Sequence, residues 1–488
     1  MLLPFALLLI AEAILRFADV GRPTLAADPF IGFSDVHPLF EVDADRGLYR
    51  VAPSRRKFFA FEAFPTEKPP RTRRVFCLGG STVKGEPYSI PTSFTAWLEL
   101  ALNACDADHD WDIVNCGGIS YASYRLIPIL EECLDYQPDL FVICSGHNEF
   151  LEDRTYGHLK DPDSVLLASQ RAVLSSRLVT LARQTIDTFA GQNELETVEN
   201  RPVLGPETDP ILDYNDSLKA YHWDPEWRRG VVAHYEFNLR RMLDLAEEAG
   251  VSVIFIQPPS NLGGFPPLKS DHHPPLSDAD ANRFIELTTA ARENYSDELP
   301  HAIKLLQQAV EISPGHAATW YDLGQCLIAA GRNDEARDCL VRARDNDLVP
   351  LRMISDLEAA MQRVARERDI PLINAHSLLE SQTPHEILDD SLLVDHIHPG
   401  FDGHQSIARA LVRILVDQDE VTLPEDWESR TESVWRKHFE SLDYPYFASG
   451  QRFLKSLEGW TQGRGDGPPA AERFPWRIRS GDGGITSD

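Results

Sequence analysis

Five short apolar runs constrain what this 488-residue chain can fold into more than any other feature. They are Arg74–Leu78, Asp112–Cys116, Asp139–Ser145, Val251–Gln257 and Ile370–Asn374. Their cores (Val-Phe-Cys-Leu, Leu-Phe-Val-Ile-Cys, Val-Ile-Phe-Ile) are continuous rather than alternating. A strand with one wet face alternates apolar and polar residues. A continuous run marks a strand buried on both faces, as in a parallel sheet covered by helices. Amphipathic stretches at Ser93–Cys105, Leu126–Tyr136, Pro225–Ala249, Leu351–Arg368 and Gly403–Val416 predict those covering helices. The expected class is therefore α/β, a three-layer, flavodoxin-like αβα arrangement. In such folds active sites lie at the carboxyl ends of the strands.

Between the fourth and fifth runs the pattern turns purely helical. Trp320-x2-Leu323-Gly324-x2-Leu327, followed by Ala336-x3-Leu340 and Ala343, has the spacing of a tetratricopeptide repeat. Thirty-four residues earlier the second-helix pattern recurs as Ala302-x3-Leu306, Ala309 and Pro314, although Glu286 stands where Trp320 stands in the later repeat. About three repeats are needed to fold independently, so two must lean on the α/β layers. The expected organisation is an N-terminal segment at 1–22, an extension at 23–72, the α/β domain at 73–277 and 351–420, and a tetratricopeptide-like insertion at 278–350. A C-terminal extension follows at 421–488, where Trp427, Trp435, Tyr444, Tyr446 and Trp460 are expected to wrap back on the core. From Gly463 onward, Gly, Pro and Asp predict a frayed tail, in which Arg464-Gly465-Asp466 is a chance triplet.

Three of the runs end in chemistry. The first leads into Gly79-Gly80-Ser81-Thr82, a tight turn that delivers a serine at a strand's carboxyl end. The third ends in Ser145-Gly146-His147-Asn148-Glu149. After the fifth comes Asp395-His396-Ile397-His398-Pro399, where one turn can bring Asp395 and His398 to the same point. Together these residues form a nucleophile, an amide donor, and a base with its orienter.

In these blocks the chain resembles the SGNH/GDSL hydrolases. The resemblance rests on Gly79-Gly80-Ser81, Gly146-His147-Asn148-Glu149 and Asp395-His396-Ile397-His398, in order, over roughly residues 73–277 and 351–416. It implies a serine esterase acting on small acyl groups, acetyl on a carbohydrate among them. Ser81, His398 and Asp395 would form the triad, with no cofactor and no metal. The oxyanion would be met by the Ser81 N–H, the Asn148 side chain and a backbone N–H from the second block. That block reads Asn115-Cys116-Gly117-Gly118-Ile119-Ser120, which puts the donor on Ser120, or on Gly118 if the loop is shorter. Two family aspartates are replaced, by Gly80 and by Glu149, with consequences for loop geometry.

Other features set limits. Lys and Arg number 47 against 76 Asp and Glu, a formal charge of −29, and such a surface repels nucleic acid. Arg55-Arg56-Lys57 and Arg71 to Arg74 are read as solvated loop charges. Seven cysteines are scattered singly without a CxxC pair, which gives no zinc spacing. His272-His273 has no His-Glu-x-x-His partner and is read as a solvated loop pair. The stretch 150–224 is expected to be a lid or substrate wall, with Tyr214 and Trp223 as candidate sugar-stacking residues. Asn261, after the fourth run, is a further candidate for binding substrate. Leu2–Leu15 is apolar, broken by Glu12 and followed by Arg16, at the short limit of a membrane span. It reads as a membrane anchor or export signal, with the catalytic domain outside the cytoplasm, or as an amphipathic helix buried on the protein. Two other functions fit the same sequence: an acyltransferase using the same triad, and a silent scaffold binding protein partners through its repeats.

Overall fold

The computed structural model describes residues 38–156, 217–383 and 385–462, together with Phe474 and three residues at 11, 12 and 15. The chain divides into two compact units. One, Met1–Pro38 with Asp153–Asp209, falls almost wholly outside the described residues. The other, Leu39–Glu152 with Pro210–Asp488, carries everything that follows. The N-terminal segment (save residues 11, 12 and 15), Tyr214, most of the 150–224 stretch and the Arg464-Gly465-Asp466 triplet all lie outside the described residues. Among the described residues no helix is long and apolar enough to cross a membrane.

The five apolar runs form one parallel sheet. Its strands are β4 (Thr72–Gly79), β5 (Asp110–Gly117), β6 (Leu140–Cys144), β7 (Ser252–Gln257) and β8 (Leu372–Asn374), in the order β5-β4-β6-β7-β8. Alternate residues of each strand face opposite ways, and both faces are dry, as continuous runs require. Val75, Cys77, Ile113, Val142, Ile254 and Ile256 pack against helices 94–105, 401–417 and 427–441. Helices 123–134, 225–248 and 355–367 pack on one another and against the strands. The chain leaves β4 to pair with β5 on one side and β6 on the other. The sheet therefore changes direction at β4, and a crevice opens at the carboxyl ends there.

Residues 278–293, 299–312, 317–329 and 333–345 are the four helices of the insertion, between β7 and β8. Gly324 marks where they approach most closely. A Cβ there would meet Leu340 side-chain atoms at 2.7 and 2.8 Å, so the small residue of the repeat pattern is a packing requirement.

Two expectations need correction, and the extension adds a small sheet. The 23–72 extension holds a three-stranded antiparallel sheet of β1 (Phe40–Asp43), β2 (Leu48–Val51) and β3 (Ala63–Pro65). Its strands of three or four residues are too short to leave a period in the sequence. Two of the basic residues read as solvated are buried. Arg74 is 1% exposed and pairs with Asp112 at 2.8 Å, its guanidinium over the Phe64 ring. Arg55, also 1% exposed, donates to the Tyr121 hydroxyl at 3.0 Å. At the C-terminal end Trp435 and Tyr446 do fold back, donating to the Trp97 carbonyl at 2.8 Å and meeting the Thr92 hydroxyl at 2.7 Å. Tyr444, at 82% exposed, does not.

Candidate active site

Four loops meet at the crevice. Gly80 ends β4 in extended backbone, and Ser81 opens a single helical turn, Ser81–Lys84. The serine therefore sits where β4 stops, with its N–H among the unpaired donors of a helix start. A Cβ on Gly79 would lie 2.2 Å from the Cys144 carbonyl, so only glycine lets the nucleophile loop pass β6.

Asp395 and His398 share a turn closed by the Leu393–Pro399 bridge. Asp395 Oδ1 accepts the backbone N–H groups of Ile397 and His398, both at 2.8 Å. Its Oδ2 accepts His398 Nδ1–H at 2.6 Å. One oxygen thus fixes the turn and the other fixes the ring. His398 Nε2 then faces Ser81 Oγ at 2.7 Å, across 317 residues of sequence. All three side chains are buried.

The electrostatics follow from that burial. Burial disfavours the Asp395 carboxylate, but His398, His396 and the turn's N–H groups outweigh it and hold the carboxyl well below its usual range. For His398 burial works to lower the pKa. The Asp395 carboxylate, by charge and hydrogen bond, overcomes that and leaves it raised above 6.5. Neighbouring imidazoles not hydrogen-bonded to the carboxylate go the other way: burial brings His147 down to about 3 and, despite Asp395 at 3.7 Å, His396 to about 4. Of the three rings, His398 alone is tuned as a base.

Opposite the triad, Asn148 Nδ2 donates one hydrogen to the Tyr121 carbonyl at 3.0 Å. A Cβ on Gly80 would stand 2.6 Å from that nitrogen. The lack of a side chain at Gly80 therefore makes room for the Asn148 amide beside the Ser81 turn. Glu149, the other replacement, accepts from Ser123 N–H at 2.9 Å and from its hydroxyl at 2.8 Å. It caps helix 123–134 and leaves the site alone. The two candidate backbone donors of the second block differ in their partners. Gly118 N–H is committed to the Gly79 carbonyl at 3.0 Å. Ser120, at φ +60°, has no hydrogen bond on its N–H among the described residues.

The pocket between these loops is lined by Gly80–Thr82, Tyr121 and Cys144–Asn148. Tyr121 was not among the candidates. Its ring is gripped by the Arg125 guanidinium at 3.7 Å and by Phe59 edge-on at 4.7 Å, which fixes the carbonyl that orients Asn148. Its only sequence signal is its place next to Ser120. Lys84 and Glu86, paired at 2.5 Å, were also missed and lie in the field of His398.

Two candidates are not in the pocket. Asn261 is fully buried and spent on its own loops. Nδ2 donates to Asp390 at 2.7 Å and to the Asp395 carbonyl at 2.8 Å, and Oδ1 accepts Gly264 N–H at 2.6 Å. It braces the triad and has nothing left for substrate. Trp223 stacks on His273 at 4.0 Å, which also corrects the reading of that histidine as solvated. His272 likewise bonds Ser313 at 2.8 Å. Among the described residues no three His, Cys, Asp or Glu side chains are grouped to hold a metal, and all seven cysteines are free and buried.

A tetratricopeptide-repeat family model matches residues 297–350, on the last three helices of the insertion. No curated protein matches the chain in sequence. Among solved structures the chain is similar to a G-D-S-L family protein from Desulfitobacterium hafniense, at 10% identity over 70% of this chain and 99% of that one, TM-score 0.31. It is similar to a lipase/acylhydrolase from Enterococcus faecalis at 12% identity, over 72% and 99%, TM-score 0.32. An acetylxylan esterase from Geobacillus stearothermophilus aligns at 12% identity over 70% and 93%, TM-score 0.31.

Proposed function

We propose that this chain is a serine ester hydrolase of the SGNH/GDSL type, with Ser81 as nucleophile, His398 as base and Asp395 as its orienter. The observation that carries the reading is the buried relay from Ser81 Oγ to His398 to Asp395, at 2.7 and 2.6 Å, opening on a pocket with unspent donors. A scaffold without chemistry has no use for a base raised by a buried carboxylate.

In this reading His398 Nε2 takes the Ser81 proton as Oγ bonds to the ester carbonyl carbon. The carbonyl oxygen becomes an oxyanion and is met by the N–H groups of Ser81 and Ser120 and by the second hydrogen of Asn148 Nδ2. As the C–O bond to the alcohol breaks, His398 returns its proton to the leaving oxygen. Water then gives a proton to His398 as it bonds to the acyl carbon, and His398 returns that proton to Ser81 Oγ as the C–Oγ bond breaks and the acid leaves. Transfer to an acceptor alcohol would use the same steps with that alcohol in place of water. The narrow pocket lined by Gly80–Thr82, Tyr121 and Cys144–Asn148 suits a small acyl group such as acetyl, on an alcohol that extends outward as a carbohydrate would. The apolar run Leu2–Leu15 supports placing residues 1–22 at a membrane.

A fluorophosphonate probe on the purified full-length chain is expected to label Ser81, read by mass mapping of the modified peptide. Labelling at another serine, or none with folded protein, would remove the assignment. Asn148→Ala is expected to lower kcat by about a hundred- to a thousandfold with little change in KM, because its amide meets charge that exists only in the transition state. A change mainly in KM would make Asn148 a ground-state contact and move the oxyanion site elsewhere.

A further inference from the structure

The helical insertion reaches the catalytic end of the sheet through one loop, residues 261–265, which follows β7. Tyr321 Oη and Gln325 Nε2 both donate to the Gly263 carbonyl, at 2.8 and 2.7 Å. They stand four residues apart on helix 317–329 and so share a face, and both are buried. The segment returning from the insertion grips the same loop. Arg352 Nη1 donates to the carbonyls of Asn261 at 2.8 Å and Phe265 at 2.7 Å. Its neighbour Met353 fills the space beside Gly146, whose φ of +127° turns the chain toward Asn148. A Cβ on Gly146 would lie 2.9 Å from Met353 Cε.

The loop's other side ends on the triad turn. Asn261 Nδ2 donates to the Asp395 carbonyl at 2.8 Å, and Asn261 N–H to the His396 carbonyl at 2.9 Å. The loop has no helix or strand of its own. Its position is therefore set by these hydrogen bonds, four of the six from the insertion and the segment behind it, together with those of the Leu262 and Gly263 N–H groups to the Leu388 carbonyl, both at 3.0 Å.

We propose that the helical insertion is a positioning device for the triad, in which Tyr321 and Gln325 hold Gly263 so that Asn261 keeps Asp395 in register with His398. The inference rests on Asp395 being the orienter of His398. A carboxylate 2.6 Å from the ring is sensitive to small displacements, and misplacement by about 1 Å costs catalysis steeply. Besides Asp395, the groups facing His398 are Glu86, Lys84, His396, His147 and His404. Asn261 ties the loop to the Asp395 carbonyl, and this is the route by which a change at the insertion reaches the ring.

Tyr321→Phe with Gln325→Met removes both donors and keeps side-chain volume. In the full chain, with histidine-labelled protein and His398 assigned by His398→Gln, the NMR titration midpoint of His398 is expected to fall by roughly half a unit or more. With a short acyl ester, kcat is expected to fall about tenfold at unchanged KM. Each single variant, which keeps the other donor, is expected to show the same two changes at smaller amplitude. Should the double variant not fold, Tyr321→Phe alone carries the same readout. An unchanged His398 midpoint in folded protein overturns the proposal, even if the rate drops. The titration needs no substrate, so the two readings fail separately. A midpoint that falls in a chain that hydrolyses no ester keeps the positioning role and removes ester hydrolysis.

Discussion

Ser81→Ala is expected to lower kcat for a short-chain ester by about a millionfold while leaving the protein folded, the scale seen when a triad nucleophile is removed. The side chain is small and makes one hydrogen bond, to His398. Its loop is placed instead by glycine contacts and backbone bonds: Gly79 against Cys144, and the N–H groups of Val83 and Lys84 to the Gly80 carbonyl at 3.1 and 3.2 Å. Alanine keeps all of these. KM is expected to change little, and residual turnover should still exceed that in water, since the oxyanion donors remain. The double variant Ser81→Ala, His398→Ala is expected to be no slower than Ser81→Ala alone, because the base has no task without its nucleophile. Kinetics on short acyl esters, with circular dichroism as the folding check, decide the matter. If losses multiplied in the double variant, the two residues would be acting independently and the relay would not be a catalytic unit.

What could be read from the chain divides along the range of the interactions. The five parallel strands were legible because burial on both faces writes itself into consecutive residues such as Leu140 to Cys144. The nucleophile turn and the Asp395–His398 pair were legible because each is local, three residues or fewer across. The insertion was legible because its small residues recur where helices approach, at Gly324 and Ala336. Roles decided by distant partners were not legible. Asn261 looked like a substrate contact from its place after β7, yet its amide is spent on a carbonyl 134 residues away. Ser120 could not be separated from Gly118 until the Gly79 carbonyl was seen to occupy the Gly118 N–H. Arg55 and Arg74 looked like loop charges, because only the folded chain brings Tyr121 and Asp112 to them.

Asp395→Asn is expected to cost about ten thousandfold in kcat with substrate binding nearly intact. The turn should survive, because the amide oxygen can still accept the N–H groups of Ile397 and His398 that Oδ1 now accepts. What is lost is the acceptor at Oδ2. An amide NH2 placed there faces a ring nitrogen that must carry a hydrogen if Nε2 is to be a base, and two donors repel. The ring then favours the other tautomer, with its hydrogen on Nε2 pointing at Ser81, and proton abstraction stops. The pH profile gives an independent sign. His398 must be neutral to act, so the wild-type rate is expected to rise with pH through a midpoint above 6.5, where Asp395 holds the raised pKa. Asp395 itself stays ionised across that range, its pKa lying far below it. Without the carboxylate, burial loses its main opponent at the ring, Glu86 alone still favouring the charged form, and the midpoint of the residual rate is expected to fall below the wild-type value. Measuring kcat from pH 5 to 9 for both chains tests the two effects together. A large loss of rate with an unmoved midpoint would mean that Asp395 shapes the turn without acting on the charge of His398, and the assignment of orienter would have to pass to another carboxylate.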